Sequence, residues 1–483
     1  MGSTSSTTEP TGTPAEIAII GGGAGGLAVL KAVLDSPQYK AGLWKPTIYE
    51  AREDIAGTWL PAPPEGDPPL TPLYDSLTTN LPHPCMAYTS FPFKPETPLY
   101  PVAALVLQYF RDYASHFALT PHIRLGIRIE RANRDAGRWR LSLAGGETTH
   151  ADLLVVANGH YTRPRYPDTP GIHEWVKAGR AMHSVYYRRP HALGRKLLVV
   201  GGGPSGRDIA QDMRTVADLV VHAGDEVPAS KERIVGRGRV AAFEADGVVR
   251  FQDGTVERDI DYCILATGYE MWFPFLPEEV LSRSEPPPAP PLPTDLHNST
   301  YHVFPLARHV FPLQERYPAN SLAFIGLPIR VIPLPLMEAQ ARAVLAAFAD
   351  PKLLEGEGEK VLARTARVRD PHKYHVFEGH EQFNYRDELY RLAARASTPV
   401  AGPGSIADGA AYTVADWEKE LYDNKNVLRT LWVGIEQRGE AEQWLKGVGE
   451  NGIDDWMAMT RKMLALAKKQ NMKEEDVDGG MKQ

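Results

Sequence analysis

The chain carries two copies of one device: an apolar, strand-like run that ends in a glycine-rich turn and leads into a helix-like stretch. The first reads Ile17-Ala18-Ile19-Ile20 and then Gly21-Gly22-Gly23-Ala24-Gly25-Gly26, and the second reads Leu197-Leu198-Val199-Val200 and then Gly201-Gly202-Gly203-Pro204-Ser205-Gly206. Both match G-x-G-x-x-G. The first glycine of that pattern makes the tight turn, the second lets backbone approach a pyrophosphate, and the third lets helix and strand pack closely. The helix after each turn presents unpaired N–H groups to the phosphates. Two such turns predict an α/β chain with two Rossmann-like units and two bound dinucleotides. Gly21, Gly23, Ala24, Gly25 and Gly26 are the candidate contacts of the first, and Gly201, Gly203, Pro204, Ser205 and Gly206 those of the second.

The two units diverge beyond their turns. After Gly26 an apolar helical run, Leu27 to Leu34, leads to a second strand, Thr47-Ile48-Tyr49, that ends at Glu50. An acid about 20 residues or slightly more beyond the turn is placed to accept from a ribose hydroxyl, as in FAD or NAD. The corresponding strand of the second unit, Asp218-Leu219-Val220-Val221, ends in His222-Ala223-Gly224, with no acid to repel a 2′-phosphate. Arg207, Lys231 and Arg233 are basic groups within reach in sequence, so NADP is favoured over NAD. Two further apolar runs, Asp152 to Gly159 (with Ala157-Asn158-Gly159) and Asp261 to Tyr269 (with Ala266-Thr267-Gly268), end in small-residue turns. Each can close a sheet beside a nucleotide; taken singly, each is equally an ordinary buried strand with a glycine turn.

Composition narrows the class. The chain has 483 residues, of which 43% are hydrophobic and 23% charged, with a net charge of −7. That balance fits a water-facing enzyme of two or three domains and argues against nucleic acid as a partner. Only Cys85 and Cys263 are present, in no C-x-x-C arrangement, so a disulfide framework and a cysteine zinc site are both excluded and a reducing, cytoplasmic setting is expected. No stretch stays apolar for the roughly 18 residues a membrane span needs, and the end from Lys468 to Gln483 is polar. Residues 1–13, rich in Ser, Thr, Gly and Pro, are expected to be a disordered tail. Their Met1-Gly2 with Ser6 meets only a loose acylation pattern. The proline run from Glu285 to Pro293 can continue neither helix nor central strand and is expected at the surface, near a module boundary. The charges from Glu436 onward read as solvated helix faces. His372-x-x-His375 with Glu378 has ligand-like spacing but no supporting group, so no metal site is expected. Ser205 misses the G-x-S-x-G elbow in its last position, which removes a hydrolase reading.

Several further motifs together resemble the flavin-containing monooxygenases, which oxygenate soft nitrogen and sulfur atoms. Tyr49-Glu50-Ala51-Arg52 followed by Gly57-Thr58-Trp59 is similar to the family's acidic strand end and G-T-W element beside FAD. Thr79-Asn80-Leu81-Pro82, Met86 and Phe91-Pro92-Phe93 resemble its T-N-x-P and F-P-F segment. Gly179, His183, Ser184 and Tyr187 match most of its linking fingerprint, and Ala266-Thr267-Gly268-Tyr269 its A-T-G-Y motif. Leu322 to Pro328 with Glu338-Ala339-Gln340 completes the pattern, which runs from about residue 15 to about residue 390. The fingerprint departs at Lys177, where the family has Phe. Tyr187-Arg188 lacks the Trp that marks the related Baeyer–Villiger enzymes, which favours heteroatom oxygenation.

The resemblance implies FAD and NADPH as cofactors, O2 and a small molecule as substrates, and a C4a-hydroperoxyflavin as the oxygen donor. It adds Arg52, Gly57, Thr58, Trp59, Ile129, Ala157, Asn158, Gly159, Ala266, Thr267, Gly268 and Gln340 to the cofactor contacts, and makes Asn80 the candidate catalytic residue, hydrogen-bonding beside the reactive flavin edge. His183 is expected to be structural. The domain layout it implies is a discontinuous FAD domain, residues 14–190 and 305–483, with an NADPH domain inserted at 191–304 and the active site where they meet. Competing readings are Baeyer–Villiger oxygenation of a ketone and a flavin-binding homologue without turnover; a disulfide reductase lacks its cysteine pair. The substrate, the choice of nitrogen or sulfur, homo-oligomerisation and the role of residues beyond about 400 are left open.

Overall fold

The computed structural model describes residues 13–225, 227, 230, 232–396 and 413–469. The expected tail and acylation pattern up to residue 12, Lys231 and the stretch beyond 469 lie outside the described residues. Two five-stranded sheets organise the rest, and every strand pair in both is parallel. The first runs in the order Leu322–Phe324, Leu153–Val156, Ala15–Ile20, Trp44–Tyr49, Ile123–Arg124. The second runs Ile234–Arg237, Leu219–Ala223, Lys196–Val200, Tyr262–Leu265, Ala181–His183. In each sheet the strand that feeds the glycine turn is central, which is why Ile17 to Ile20 and Leu197 to Val200 are apolar without a break: both faces are covered.

Alternate residues of strand Ala15–Ile20 enter different cores. Ile17 and Ile19 pack with Leu27, Leu30 and Val33 of helix Ala24–Asp35 and with the buried helix Pro333–Ala349. Ala18 and Ile20 pack against Trp139 and Leu141 of a three-stranded antiparallel sheet (Ile129–Asp135, Arg138–Leu143, Thr148–Ala151). The first unit is thus helices, parallel sheet and antiparallel sheet in layers. The second sheet is likewise sandwiched, with Leu198, Val221 and Cys263 on one side and Leu197, Val199 and Ile209 on the other. Tyr74, from the first unit's loops, is buried in that second core.

Sheet membership does not change at 190/191 and 304/305, where the sequence suggests breaks. Residues 181–183 are already the edge strand of the second sheet, pairing with Cys263 to Leu265. Met271, Phe273, Phe275 and Leu276 have returned to the first unit's core well before residue 304. A three-residue strand carries too little pattern to reveal its partner. The run Glu285–Pro293 is mostly exposed, while Ala289 and Leu292 pack on Phe304, Val361 and Tyr374. The region after 412 forms helices Asp416–Asp423, Lys425–Gln437, Ala441–Leu445 and Ile453–Lys469. Their Leu428, Trp432, Trp456 and Met463 enter the first unit's core; Glu418 is buried against Arg386, while most charged residues from 436 to 468 stay outside. Cys85 lies in the first core and Cys263 in the second, both buried and free. No helix among the described residues is long and apolar enough to cross a membrane.

Candidate functional site

The first glycine turn has no room for side chains at Gly21, Gly25 and Gly26. Gly21 has φ +104°, and a Cβ there would stand 2.5 Å from the Ala157 carbonyl oxygen; one on Gly26 would stand 1.9 Å from the Gly21 oxygen. Gly23, which ends the turn, caps helix Ala24–Asp35 without any side-chain hydrogen bond, and no acid lies in the first helical turn. The helix terminus is therefore open to an anion. Glu50 is oriented by two backbone donors, the N–H of Gly22 to Oε2 at 2.6 Å and the N–H of Arg52 to Oε1 at 2.8 Å. Its carboxylate keeps lone pairs for a ligand hydroxyl. The Arg52 guanidinium donates to the carbonyls of Gly57 (3.0 Å), Leu60 (2.8 Å) and Pro61 (3.0 Å). That bolts the Gly57–Trp59 turn against the glycine turn, where Gly57 and Gly23 meet backbone to backbone.

The second turn repeats the design. A Cβ on Gly201 would lie 2.2 Å from the Ala266 oxygen and one on Gly206 would lie 1.9 Å from the Gly201 oxygen, but in front of Gly203 nothing stands within 4 Å. Helix Pro204–Met213 likewise lacks a side-chain cap and a first-turn acid. Thr267 Oγ1 donates to the Arg165 carbonyl at 2.6 Å and Arg165 N–H to that of Gly268 at 3.0 Å, which fixes the Ala266–Gly268 turn beneath it. His183 accepts from Val185 N–H on Nδ1 (3.1 Å), so its Nε2 carries the proton and donates to Gly268 O at 3.0 Å. Burial lowers its pKa to about 4. A neutral, doubly bonded ring is a structural tie.

Both turns open onto one cavity of about 3870 Å³. Of the residues singled out from sequence, Gly21, Gly23, Ala24, Gly25, Glu50, Arg52, Gly57, Thr58, Trp59, Asn80, Ile129, Ala157, Asn158 and Gly159 line it on the first side, and Gly201, Gly203, Pro204, Ser205, Arg207 and Thr267 on the second. Gly26, Gly206, Ala266, Gly268 and Gln340 do not line it. Gln340 is fully buried; its Oε1 accepts from Gly326 N–H at 2.9 Å and its Nε2 donates to the Tyr385 hydroxyl at 2.9 Å, so it holds the Gly326 turn that does line the cavity. Asn80 is exposed on the wall. Its neighbours are pinned, Thr79 N–H to Pro101 O at 3.0 Å and Thr79 Oγ1 to Leu81 O at 2.9 Å, which fixes the backbone on either side of Asn80. Lys177 is exposed at the end of helix Ile172–Lys177, so a charge there in place of Phe costs no burial. His375 turns inward to His309 (Nδ1 to Nδ1, 2.8 Å) whereas His372 stacks on Tyr301 at 3.9 Å, and no set of three metal-ligating side chains occurs among the described residues.

Two parts of the wall escape sequence reasoning. One corrects the expectation that the second unit's strand exit has no acid: Asp225, one residue past Gly224, lines the cavity. Reading one position further finds it. Arg233, expected to help with a phosphate, does not line the cavity; its carbonyl accepts from Val220 N–H at 2.8 Å. The other is helix Lys425–Gln437, whose Lys425, Asn426, Arg429, Thr430, Val433 and Gln437 complete the wall. Arg429 reaches Asp208 of the second-turn helix at 3.3 Å, and the Tyr74 hydroxyl donates to the same carboxylate at 2.8 Å. Nothing local in residues 425–437 announces that role.

Two parallel-sheet units facing one cavity are the frame of a two-nucleotide enzyme, and comparison with known proteins decides which kind. The chain matches the flavin-binding monooxygenase-like family over residues 15–227 and 223–385. It belongs to that family. This monooxygenase is 32% identical over 375 residues to the flavin-containing monooxygenase FMO GS-OX-like 7 of Arabidopsis thaliana, covering 70% of this chain and 74% of that protein. It is 31% identical over 350 residues to the thiol-specific monooxygenase of Saccharomyces cerevisiae, covering 69% and 76%. Among solved structures it resembles the S-allyl-L-cysteine S-oxygenase of Allium sativum, with a TM-score of 0.72 and 25% identity, over 94% of this chain and 99% of that one. Members of the family are N- or S-oxygenating enzymes that use FAD and NADPH, and two crowded glycine turns with uncapped helix termini suit two such dinucleotides. The family match ends at residue 385, so helix Lys425–Gln437 is wall that the family pattern does not describe.

Proposed function

We propose that this flavin monooxygenase is an S-oxygenating enzyme that holds FAD at the first glycine turn and NADPH at the second, and adds one atom of O2 to the sulfur of a small thiol or thioether. The observation that carries the reading is that both uncapped helix termini open onto a single cavity with Asn80 on its wall. The named relatives that act on thiols or on S-allyl-L-cysteine support sulfur over nitrogen. FAD, when bound and reduced, supplies the oxygen-activating chemistry. The chain's own residues bind and shelter. The N–H groups of helices Ala24–Asp35 and Pro204–Met213 receive the pyrophosphates, and Glu50 accepts from the adenosine ribose. The Asn80 amide donates a hydrogen bond at the reacting oxygen. Leu81, Met86, Ile325, Leu336 and Met337 give the wall an apolar stretch that keeps water away. Substrate, O2, NADPH and a proton yield the oxygenated sulfur compound, NADP⁺ and water.

The test is a panel of thiols, thioethers, amines and ketones given to the purified holoenzyme under air, scored by gain of one oxygen in the product with hydrogen peroxide measured alongside. Oxygenation confined to the sulfur compounds is expected. Products from amines alone, or esters from the ketones, would replace the sulfur reading, and peroxide with no product would point to a homologue that has lost turnover.

A further inference from the structure

The two nucleotide units can be laid over one another by strand register. In the first, Tyr49 pairs with Ile20, the N–H of Gly21 donates to Tyr49 O at 2.9 Å, and the next residue is Glu50. In the second, Ala223 pairs with Val200 and the N–H of Gly201 donates to Ala223 O at 2.8 Å, so Gly224 occupies the place of Glu50. Gly224 has φ +147°, and a Cβ there would stand 3.0 Å from Gly202 N. A side chain there would be strained and crowded, and the acid is displaced by one residue, to Asp225. Asp225 lines the cavity together with Arg207 and Arg239, and Arg239 Nε donates to Asp225 Oδ1 at 2.7 Å. Both members of the pair are open to solvent, 61% and 63% exposed in their side chains.

A carboxylate at the exit of this strand accepts from the 2′-hydroxyl of an adenosine ribose and repels a 2′-phosphate, whereas a guanidinium does the reverse. This chain presents both, bonded to each other. An exposed ion pair contributes little, so separating it to serve a ligand costs little. We propose that Asp225 makes NADH a second hydride donor for this enzyme: the carboxylate binds the free 2′-hydroxyl of NADH, while Arg239, released from the pair, meets the 2′-phosphate of NADPH. The proposal rests on the reading that the second glycine turn holds a nicotinamide dinucleotide.

The experiment is calorimetric titration of the flavin-loaded enzyme with ADP-ribose and with 2′-phospho-ADP-ribose, fragments that carry the discriminating end of each donor and undergo no turnover. For the unaltered enzyme the two dissociation constants are expected within about tenfold of each other, since one charge-assisted hydrogen bond on each side is worth about that factor. D225S is expected to weaken ADP-ribose and tighten the phosphorylated fragment, moving the ratio by at least about tenfold, and R239Q to move it the other way. D225N, which keeps size and removes charge, should fall between and guards against a local rearrangement. A preference for the phosphorylated fragment beyond about a hundredfold in the unaltered enzyme, or a ratio unmoved by D225S and D225N, would overturn the proposal. If neither fragment binds, the assignment of the second turn to a nicotinamide dinucleotide fails, and the proposal falls with it.

Discussion

At the scale of single residues, three glycines separate packing from ligand binding. Gly26 and Gly206 would each drive a Cβ to 1.9 Å from a carbonyl oxygen of their own turn, while Gly203 faces open space. G26A is expected to purify with little or no flavin, read as flavin absorbance per protein. G206A should keep its flavin and weaken NADP⁺ by at least about tenfold, because the turn must deform before the pyrophosphate can seat. G203A disturbs no protein contact, so unchanged stability with weakened NADP⁺ binding is expected; unchanged binding would move the pyrophosphate elsewhere. Asn80 is exposed on the wall and its removal should leave stability untouched. N80A is expected to lower oxygenated product per NADPH oxidised by at least about tenfold, the worth of one directed hydrogen bond, with hydrogen peroxide rising in step.

At the scale of elements, helix Pro204–Met213 is held from outside its own unit. Asp208 takes the Tyr74 hydroxyl and faces the Arg429 guanidinium, and Asp212 accepts from the hydroxyls of Tyr187 (3.0 Å) and Ser76. Burial and the neighbouring carboxylates push the Tyr74 and Tyr187 hydroxyls up, so both remain donors throughout the working range. Asp208 therefore ties the second nucleotide helix to both the first unit's loop and helix Lys425–Gln437, and Asp212 adds a second tie to that loop. R429A and D208N are expected to cost about 1 kcal/mol of stability each, and to raise the ratio of hydrogen peroxide to product, because the two nucleotide sites no longer keep a fixed spacing. Equal ratios in variant and parent would deny these ties a part in coupling. The paired glycine turns and their flanking strands are legible in sequence because one contiguous run specifies each. The edge strand Ala181–His183 and the wall helix Lys425–Gln437 are not, since their positions depend on partners 80 or more residues away.

At the scale of the whole molecule, the chain buries neutral histidines in several cores. Desolvation lowers the pKa of His83 to about 3 and those of His160, His183 and His302 to about 4, from 6.5 in the unfolded chain; His309 and His375 are pushed well below their usual range by burial and then by neighbouring histidines and cations. Between pH 6.5 and about 4 the unfolded chain binds protons that the folded chain refuses, so stability rises with pH across that window and is lost as pH falls through it. A histidine shifted this far disfavours folding by roughly 2 kcal/mol at pH 5 relative to pH 7.5. The thermal midpoint is thus expected to fall by at least about 5 °C over that interval. H83F, at a ring that meets Trp456 edge-on at 4.4 Å, should flatten the acid side of the curve. A midpoint independent of pH there would contradict the neutral, buried assignment.

The amino-acid sequence alone determined that two dinucleotide turns exist, that Glu50 closes the first strand pair, and that the family's Thr79-Asn80-Leu81-Pro82 and Ala266-Thr267-Gly268-Tyr269 segments are present. These are local: a turn that admits no Cβ and a strand buried on both faces are written in neighbouring residues. Only the tertiary structure decided that both turns share one cavity, that Gln340 stands behind its wall, that Asp225 and Arg239 meet at its second end, and that a helix beyond the family pattern completes it. Those facts depend on which surfaces the packed cores bring together, and burial of apolar side chains sets that pairing without regard to distance along the chain.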